Sequence, residues 1–395
     1  MDHDRAARLL ASPLAEEWVR AAVTGEPADR GTIGVELDRV HHRPDADTTA
    51  GFHVTVTEAD GTATTEYVVA TTAEFESDDG LAVVEHHGLT LRFWQHPADP
   101  RLPDLAAACD ADTVAGWLGV DRVDLDLVAY RPLRRAVLRA VTDRGTCFVK
   151  VFLPARATPH LTRHRVLAEA GVGPEVVAEP APGVMIVAAA AGEPLAERFA
   201  AVASGQPAPD PADIVQLLDR LPRELLAVPK RSAWSERLDF HGAAAAVALP
   251  EAADEIGRLV AAIDRLLAER PRGPLVPVHG DLYEANIFVE DVPGGDHKYT
   301  LIDVDTAGPG HRVDDLACVL AHLAVLPDLS PAHYAGLIDT IDHWTRHFAG
   351  QVDPAALYAR VAGVILTLVA GTDRAHALAR LDLVRSWLQR ALLVD

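Results

Sequence analysis

The chain has 395 residues, a formal charge of −22 and 49% apolar residues. That length accommodates two or three domains, and that apolar content supports sizeable cores. The charge excludes a nucleic-acid binder, which needs a basic footprint, and is compatible either with a cationic small-molecule partner or with plain solubility. Cys109, Cys147 and Cys318 stand apart with no paired spacing. They make neither a disulfide framework nor a zinc site, and a reducing cytoplasm is the expected location. MDHDRAARLL at the start has no long apolar core. The apolar run Val361–Ala370 is too short to span a bilayer and reads as a buried helix, so no membrane partner is expected. Oligomeric state is not written in the sequence.

Residues 1–98 read as a separate, mainly antiparallel β unit. A first helix is expected over Asp4–Val23, where Leu9, Leu10, Leu14, Trp18 and Val23 fall near helical spacing and Pro13 disturbs it. Strands are expected at Thr32–Val40, Phe52–Thr57, Glu66–Ala70, Ala82–His86 and Leu89–Trp94. Asp60-Gly61, Asp79-Gly80 and Gly88 supply turns between them. The pairs His41-His42 and His86-His87 lack an evident carboxylate or cysteine partner, and read as strand-end histidines before metal ligands.

Residues 99–190 hold a connecting helix over Asp112–Leu118 and a small β lobe. Its strands are Leu125–Tyr130, Ala136–Thr142 and Cys147–Phe152, joined by turns at Arg131–Arg135 and Asp143–Gly145. Only Lys150, Lys230 and Lys298 are lysines, whereas arginine is abundant. A lysine inside an apolar strand, in a chain that writes nearly every other cation as arginine, points to a need for an ammonium at Lys150. A lysine snorkelling from a strand edge is the plain alternative. Thr158-Pro159 reads as a helix start and Gly171 as its end. Val184–Val187 is the next strand.

Residues 191–395 read as a large helical lobe, with helices near 213–227, 251–269, 331–348, 354–371 and 374–393. Within it lies the stretch on which the functional reading depends, LVPVHGDLYEANIFV followed by a polar loop and TLIDVDTAGPGHRVDDLACVL. The strands Asn286–Val289 and Tyr299–Ile302 flank the loop Glu290–Lys298, whose Pro293, Gly294 and Gly295 suggest a hairpin. A hairpin draws its ends together, so Asp281, Asn286 and Asp303 should converge. Two carboxylates and an amide in a small space suit phosphoryl transfer. Hard oxygen ligands hold Mg²⁺ while a free carboxylate orients the attacking hydroxyl.

HGDLYEAN, IDVD and DDLA together resemble the signature of the aminoglycoside phosphotransferase and choline kinase-like family, relatives of the protein kinases. The resemblance implies an α+β, bilobal protein kinase-like fold with a small antiparallel β lobe and a large α-helical lobe. The N-terminal β unit would be a cap-like addition, similar in layout to that of larger bacterial sugar kinases. It implies Asp281 as catalytic base, Asn286 and Asp303 as Mg²⁺ ligands, and Lys150 as the holder of the ATP α- and β-phosphates. It also implies Asp315 as an acid bracing the catalytic loop.

Two positions depart from the family pattern. The turn that should cover the phosphates, Arg131–Arg135, has no glycine, so Arg134 or Arg135 would contact the nucleotide instead. The family's mid-helix glutamate, partner of the strand lysine, has only Glu169 as a late substitute. Glu284 and Asp305 flank the loop and metal acid and are candidates to face a cationic acceptor. Asp373, Asp382 and Trp387 on late helices are weaker ones. The expected activity is ATP- and Mg²⁺-dependent transfer to a hydroxyl of a small molecule: a sugar, an aminosugar or an aminoglycoside. The alternatives are a nucleotide-binding scaffold without turnover, and a metal hydrolase built on His279, Asp281, Asp303 and His311.

Overall fold

A computed structural model describes residues 3–24, 32–43, 47–58, 60–86, 88–294 and 297–394. His87 and Gly295 lie outside them. The chain divides into two compact units, one made of residues 1–157 and 177–187, the other of 158–176 and 188–395.

The first unit opens with α1 (His3–Leu10) and α2 (Pro13–Thr24). The single helix expected over Asp4–Val23 is thus two, broken where Pro13 starts a new first turn, a position that needs no N–H donor. Five strands follow: β1 (Thr32–Arg43), β2 (Asp47–Thr57), β3 (Ala63–Thr71), β4 (Ala82–His86) and β5 (Leu89–Gln95). They form an antiparallel sheet in the order β1-β2-β3-β5-β4. Alternation sorts its side chains by face. Phe52, Val54, Val56, Val68, Ala70, Leu91 and Phe93 pack with Leu10, Ala15, Trp18 and Val19 of the helices. The cross-strand partners Val69 and Trp94 belong to a second cluster, with Ala73 and Leu133.

After α3 (Leu105–Ala108) and α4 (Ala111–Leu118) come β6 (Asp124–Arg131), β7 (Arg135–Thr142) and β8 (Gly145–Phe152). α5 (Pro154–Glu169) passes from the first unit to the second, and β9 (Val176–Ala181) and β10 (Val184–Ala188) complete a sheet ordered β6-β7-β8-β10-β9. The helix expected to start at Thr158-Pro159 starts four residues earlier. Pro154 takes the first-turn position instead, and Pro159 is carried inside the helix. Val149 and Val151 of β8 are buried with Ala136, Leu138 and Ala140 of β7. Lys150 lies between the two valines, opposite Val137 on β7.

The second unit begins with β11 (Glu193–Pro194), α6 (Leu195–Ala201), α7 (Pro211–Asp219), α8 (Leu238–Ala248) and α9 (Ala253–Glu269). The hairpin region holds β12 (Leu275–Val278), β13 (Ile287–Asp291), β14 (His297–Leu301) and β15 (Gly308–His311). The helices α10 (Arg312–Leu329), α11 (Leu337–Ala349), α12 (Pro354–Thr367) and α13 (Arg374–Leu392) close the chain. α10 and α12 are apolar nearly all round and form the centre of the large core. The stretch Val361–Ala370 falls largely on α12, as a buried helix should. No described helix is long and apolar enough to cross a membrane. The architecture is α+β, with antiparallel sheets in the N-terminal part and helices dominating the rest, as expected.

Candidate active site

β13 and β14 form the expected antiparallel hairpin, with Ile287 opposite Leu301 and Asp291 opposite His297. At its open end the Ile302 N–H donates to the Asn286 carbonyl at 2.9 Å. That bond fixes the segment before Asp303 against the segment that carries Asn286. β12 and β15 pair from Leu275–His311 to Val278–Gly308, so the residues after Val278 lie beside those before Gly308. Two short ladders thus hold the catalytic-type loop and the Asp303 segment together, and both are local in sequence.

The loop 279–281 is bonded on every side. His279 is fully buried; Nε2–H donates to the Ile302 carbonyl at 2.9 Å, while Nδ1 accepts the Asp281 N–H at 3.3 Å. Asp315, at the start of α10, accepts the N–H groups of His279 and Gly280, each at 2.8 Å. This is the bracing role expected of it. Thr306 Oγ1 donates to the His279 carbonyl at 2.9 Å. Gly280 has φ +83°, and a Cβ there would sit 2.9 Å from the Thr306 carbonyl oxygen. Glycine is therefore required both by the backbone conformation and by the space.

Asp281 feels the Asp303 charge. Burial pushes the Asp281 carboxyl above the usual carboxylate range, the Trp234 indole pulls it back, and the Asp303 charge pushes it up again. Asn286 is buried, and its Nδ2 donates to the Asp281 carbonyl at 3.0 Å. That bond spends the amide nitrogen inward and leaves the amide oxygen as the atom able to bind a cation. Asp303 itself holds a left-handed backbone, φ 51° and ψ 48°, a strained state for a residue with a Cβ that persists where surroundings enforce it. An amide oxygen and two neighbouring carboxylates fit a hard divalent cation that keeps waters and takes further oxygens from a substrate. They do not fit a transition-metal cage. No group of three or more His, Cys, Asp or Glu among the described residues is arranged to hold a metal. Both ring nitrogens of His279 are committed, which removes the first ligand of the hydrolase alternative.

The flanking acids are placed differently from a cation-facing pair. Glu284 is 6% exposed, its Oε2 has no hydrogen-bond partner, and burial pushes its carboxyl up to about 7. A group so buried is part of the loop's packing. Asp305 points to α5 instead: His160 Nδ1 lies 3.3 Å from Oδ1 and His164 Nε2 lies 4.0 Å from it. His160, Arg163 and His164 of α5 are turned onto the segment after Asp303. Arg163, 1% exposed, donates from Nε to the Ala307 carbonyl at 2.5 Å and from Nη2 to the Pro229 carbonyl at 3.0 Å. Glu169 is the exposed last residue of α5. Of the late-helix candidates, Asp373 caps α13 through the N–H groups of Ala375 and His376. Asp382 and Trp387 line a surface groove of about 540 Å³ between α10, α11 and α13.

Sequence reading missed two contributors. Trp234 Nε1–H donates to Asp281 Oδ1 at 2.8 Å across 47 residues. The visible hint was a tryptophan in the polar stretch KRSAWSE. Tyr283 stacks on His322 of α10, with centroids 4.5 Å apart and rings 23° from parallel. Burial, then the Arg380 charge, lowers His322 to about 4. A folded pKa below the ordinary value of about 6.5 means stability present above pH 6.5 and lost as pH falls toward 4. We expect wild-type protein to lose on the order of 2–3 kcal/mol more across that window than His322→Gln, since each tenfold change in proton affinity is worth about 1.4 kcal/mol. Urea melts at stepped pH measure this, and parallel curves for the two proteins would remove His322 from the acid transition.

A model described as the phosphotransferase enzyme family (APH) matches residues 133–348, more than half of the chain. No curated protein matches the sequence. Among solved structures, a choline/ethanolamine kinase family protein from Mesorhizobium loti is 20% identical. It aligns over 74% of this chain and 98% of its own with a TM-score of 0.48. Aminoglycoside phosphotransferase APH(4)-Ia with ADP and hygromycin B is 14% identical over 71% of this chain and 98% of its own, with a TM-score of 0.45. Spectinomycin phosphotransferase APH(9)-Ia with ADP and spectinomycin is 14% identical over 72% and 98%, with a TM-score of 0.37. None of these three likenesses is close enough to transfer a substrate.

Proposed function

Since the chain belongs to the phosphotransferase enzyme family and is a small-molecule kinase of protein kinase-like fold, we propose that it transfers the γ-phosphoryl group of ATP to a hydroxyl of a sugar, aminosugar or aminoglycoside in the cytoplasm. The observation that carries this reading is the Asp281, Asn286 and Asp303 constellation on one braced loop and hairpin. Asp281 orients the acceptor hydroxyl and takes its proton late, since positioning and electrostatics dominate a loose transition state. Trp234 fixes the carboxylate by occupying one oxygen, leaving the other for the hydroxyl. Asn286 and Asp303 would hold Mg²⁺, which would supply positive charge against the phosphates. Lys150 holds the α- and β-phosphates, and Arg134 and Arg135 supply cations where glycine amides are missing. Residues 1–98, 99–190 and 191–395 serve as cap, small lobe and catalytic lobe.

The acidic surface favours a cationic acceptor by long-range attraction, which tilts the choice toward amino-bearing sugars. A panel of aminoglycosides, aminosugars, neutral sugars and amino alcohols, scored by stimulated ADP release with MgATP, tests the proposal. Stimulation by an amino-bearing sugar is the expected result. Stimulation by amino alcohols alone would overturn the acceptor assignment, and failure of MgATP to bind would overturn the nucleotide one.

A further inference from the structure

The turn between β6 and β7 has a shape its sequence should resist. The Arg134 N–H donates to the Arg131 carbonyl at 3.0 Å, closing a four-residue turn with Pro132 at the second position. Leu133, at the third, has φ 63°. A turn with proline second and positive φ third is type II, and the third position calls for glycine or asparagine. Leucine there is strained, and such strain persists only when neighbours over-determine it.

The neighbours come from the N-terminal sheet and from the segment that follows it. The Leu133 side chain is 1% exposed and packs with Val69, Ala73 and Trp94 on the sheet face away from α1 and α2. Its N–H donates to Asp99 Oδ2 at 2.8 Å. Tyr130, three residues earlier on β6, donates its hydroxyl to the same oxygen at 2.7 Å and accepts the Trp94 indole N–H at 3.2 Å. Asp99 is 4% exposed, and its other oxygen accepts the Arg101 N–H at 2.9 Å. One buried carboxylate thus joins the strand to the turn, and the Trp94–Tyr130 bond ties both to the N-terminal sheet. A glycine at 133 would satisfy the backbone but lose the side chain that fills the sheet's far face.

We propose that the N-terminal sheet is a working part of the nucleotide site: with Val69, Ala73 and Trp94 as its packing surface, the positioning residues Asp99, Tyr130 and Leu133 hold the Arg131–Arg135 turn in its phosphate-binding shape. A glycine-rich turn lets backbone amides approach phosphates closely; here the turn is pinned through Leu133 to Asp99 and the sheet, and Arg134 and Arg135 would supply the cations. The inference rests on the reading that this turn meets the nucleotide phosphates. It assigns the N-terminal sheet a task through Val69, Ala73 and Trp94.

The test uses the full chain with Asp99→Asn and Tyr130→Phe, the second of which keeps the ring and removes only the hydroxyl. Arg134→Ala combined with Arg135→Ala serves as the control for phosphate contact. Calorimetry with MgATP and with adenosine, and KM against kcat with an active acceptor, are the readouts. Asp99→Asn is expected to weaken MgATP binding and raise its KM about tenfold, the worth of one hydrogen bond to a charged group. Tyr130→Phe should raise it by about threefold, nearer the worth of a weaker bond. Adenosine affinity and acceptor KM should hold in both. Unchanged MgATP affinity in both variants, with only a lowered melting temperature, would make the contact mere mortar between sheets and overturn the proposal. Wild-type MgATP affinity that the double arginine variant does not reduce would instead overturn the reading of the turn itself, and the inference with it.

Discussion

Asp281→Asn is expected to cut turnover by a factor of ~10² or more while MgATP affinity stays in place, the lower range for loss of a positioned general base. The substitution is close to isosteric, and the asparagine oxygen can still accept the Trp234 indole N–H that now binds Oδ1 at 2.8 Å. The Asn286 amide bonds the Asp281 backbone carbonyl, not its side chain, so the proposed ligand amide keeps its place. What is lost is a proton acceptor and a negative charge beside Asp303, whose repulsion helps hold the Asp281 carboxyl above the usual range. Binding of Mg-nucleotide should therefore be unchanged or slightly different, but the acceptor hydroxyl has no base to meet it. Single-turnover kinetics with calorimetry on the same preparation decide the matter. Full turnover in the variant would remove Asp281 from the mechanism, whereas a parallel loss of nucleotide affinity would make it a ligand-site residue instead.

The parts of this molecule legible in its sequence are those whose contacts are short in chain distance. The spacing from Asp281 to Asn286, the hairpin turn and the Asp303 segment lie within a few dozen residues, and β13 and β14 pair as their polar loop suggested. Asp315 could be read because its partners, the N–H groups of His279 and Gly280, are 36 and 35 residues away on a recognisable motif. The contacts that escaped reading are long: Trp234 to Asp281 spans 47 residues, Asp305 to His160 spans 145 and Arg163 to Ala307 spans 144. No periodicity announces which arginine of a basic helix will be buried against a carbonyl. α8 escaped for a different reason, since LDFHGAAAAVA has too many small apolar residues to show one stripe. Val69 and Trp94 carried a faint signal, large apolar residues on strand positions whose neighbours already filled the core. Only the structure gives them a partner in Leu133.

Asp315→Ala should cost about 3–5 kcal/mol, because two backbone donors, one buried and one half-buried, would each lose a charged acceptor worth roughly 1.5–3 kcal/mol. Asp315 is 1% exposed and accepts both N–H groups, that of His279 in a fully buried bond. Burial pushes the Asp315 carboxyl upward, and His279 and the two N–H groups draw it back. The carboxylate is therefore tolerated only because those donors are there. Asparagine is a poor rescue, since its one oxygen can serve one donor and its NH₂ group then faces the other N–H. Against a total stability of about 5–15 kcal/mol for a typical domain, such a loss is large, and urea melts of wild type, Asp315→Asn and Asp315→Ala at one pH should separate clearly. The effect should reach catalysis as well. Gly280 sits at φ +83° between the brace and Thr306, and Asp281 follows it directly, so a slackened loop misaims the carboxylate even in molecules that remain folded. Turnover measured well below the melting temperature should fall while MgATP affinity changes little, because Asn286 and Asp303 are held by their own ladders. A variant that melts within about 1 kcal/mol of wild type, a margin typical of surface substitutions, would show that the loop is held by β12, β15 and His279 alone.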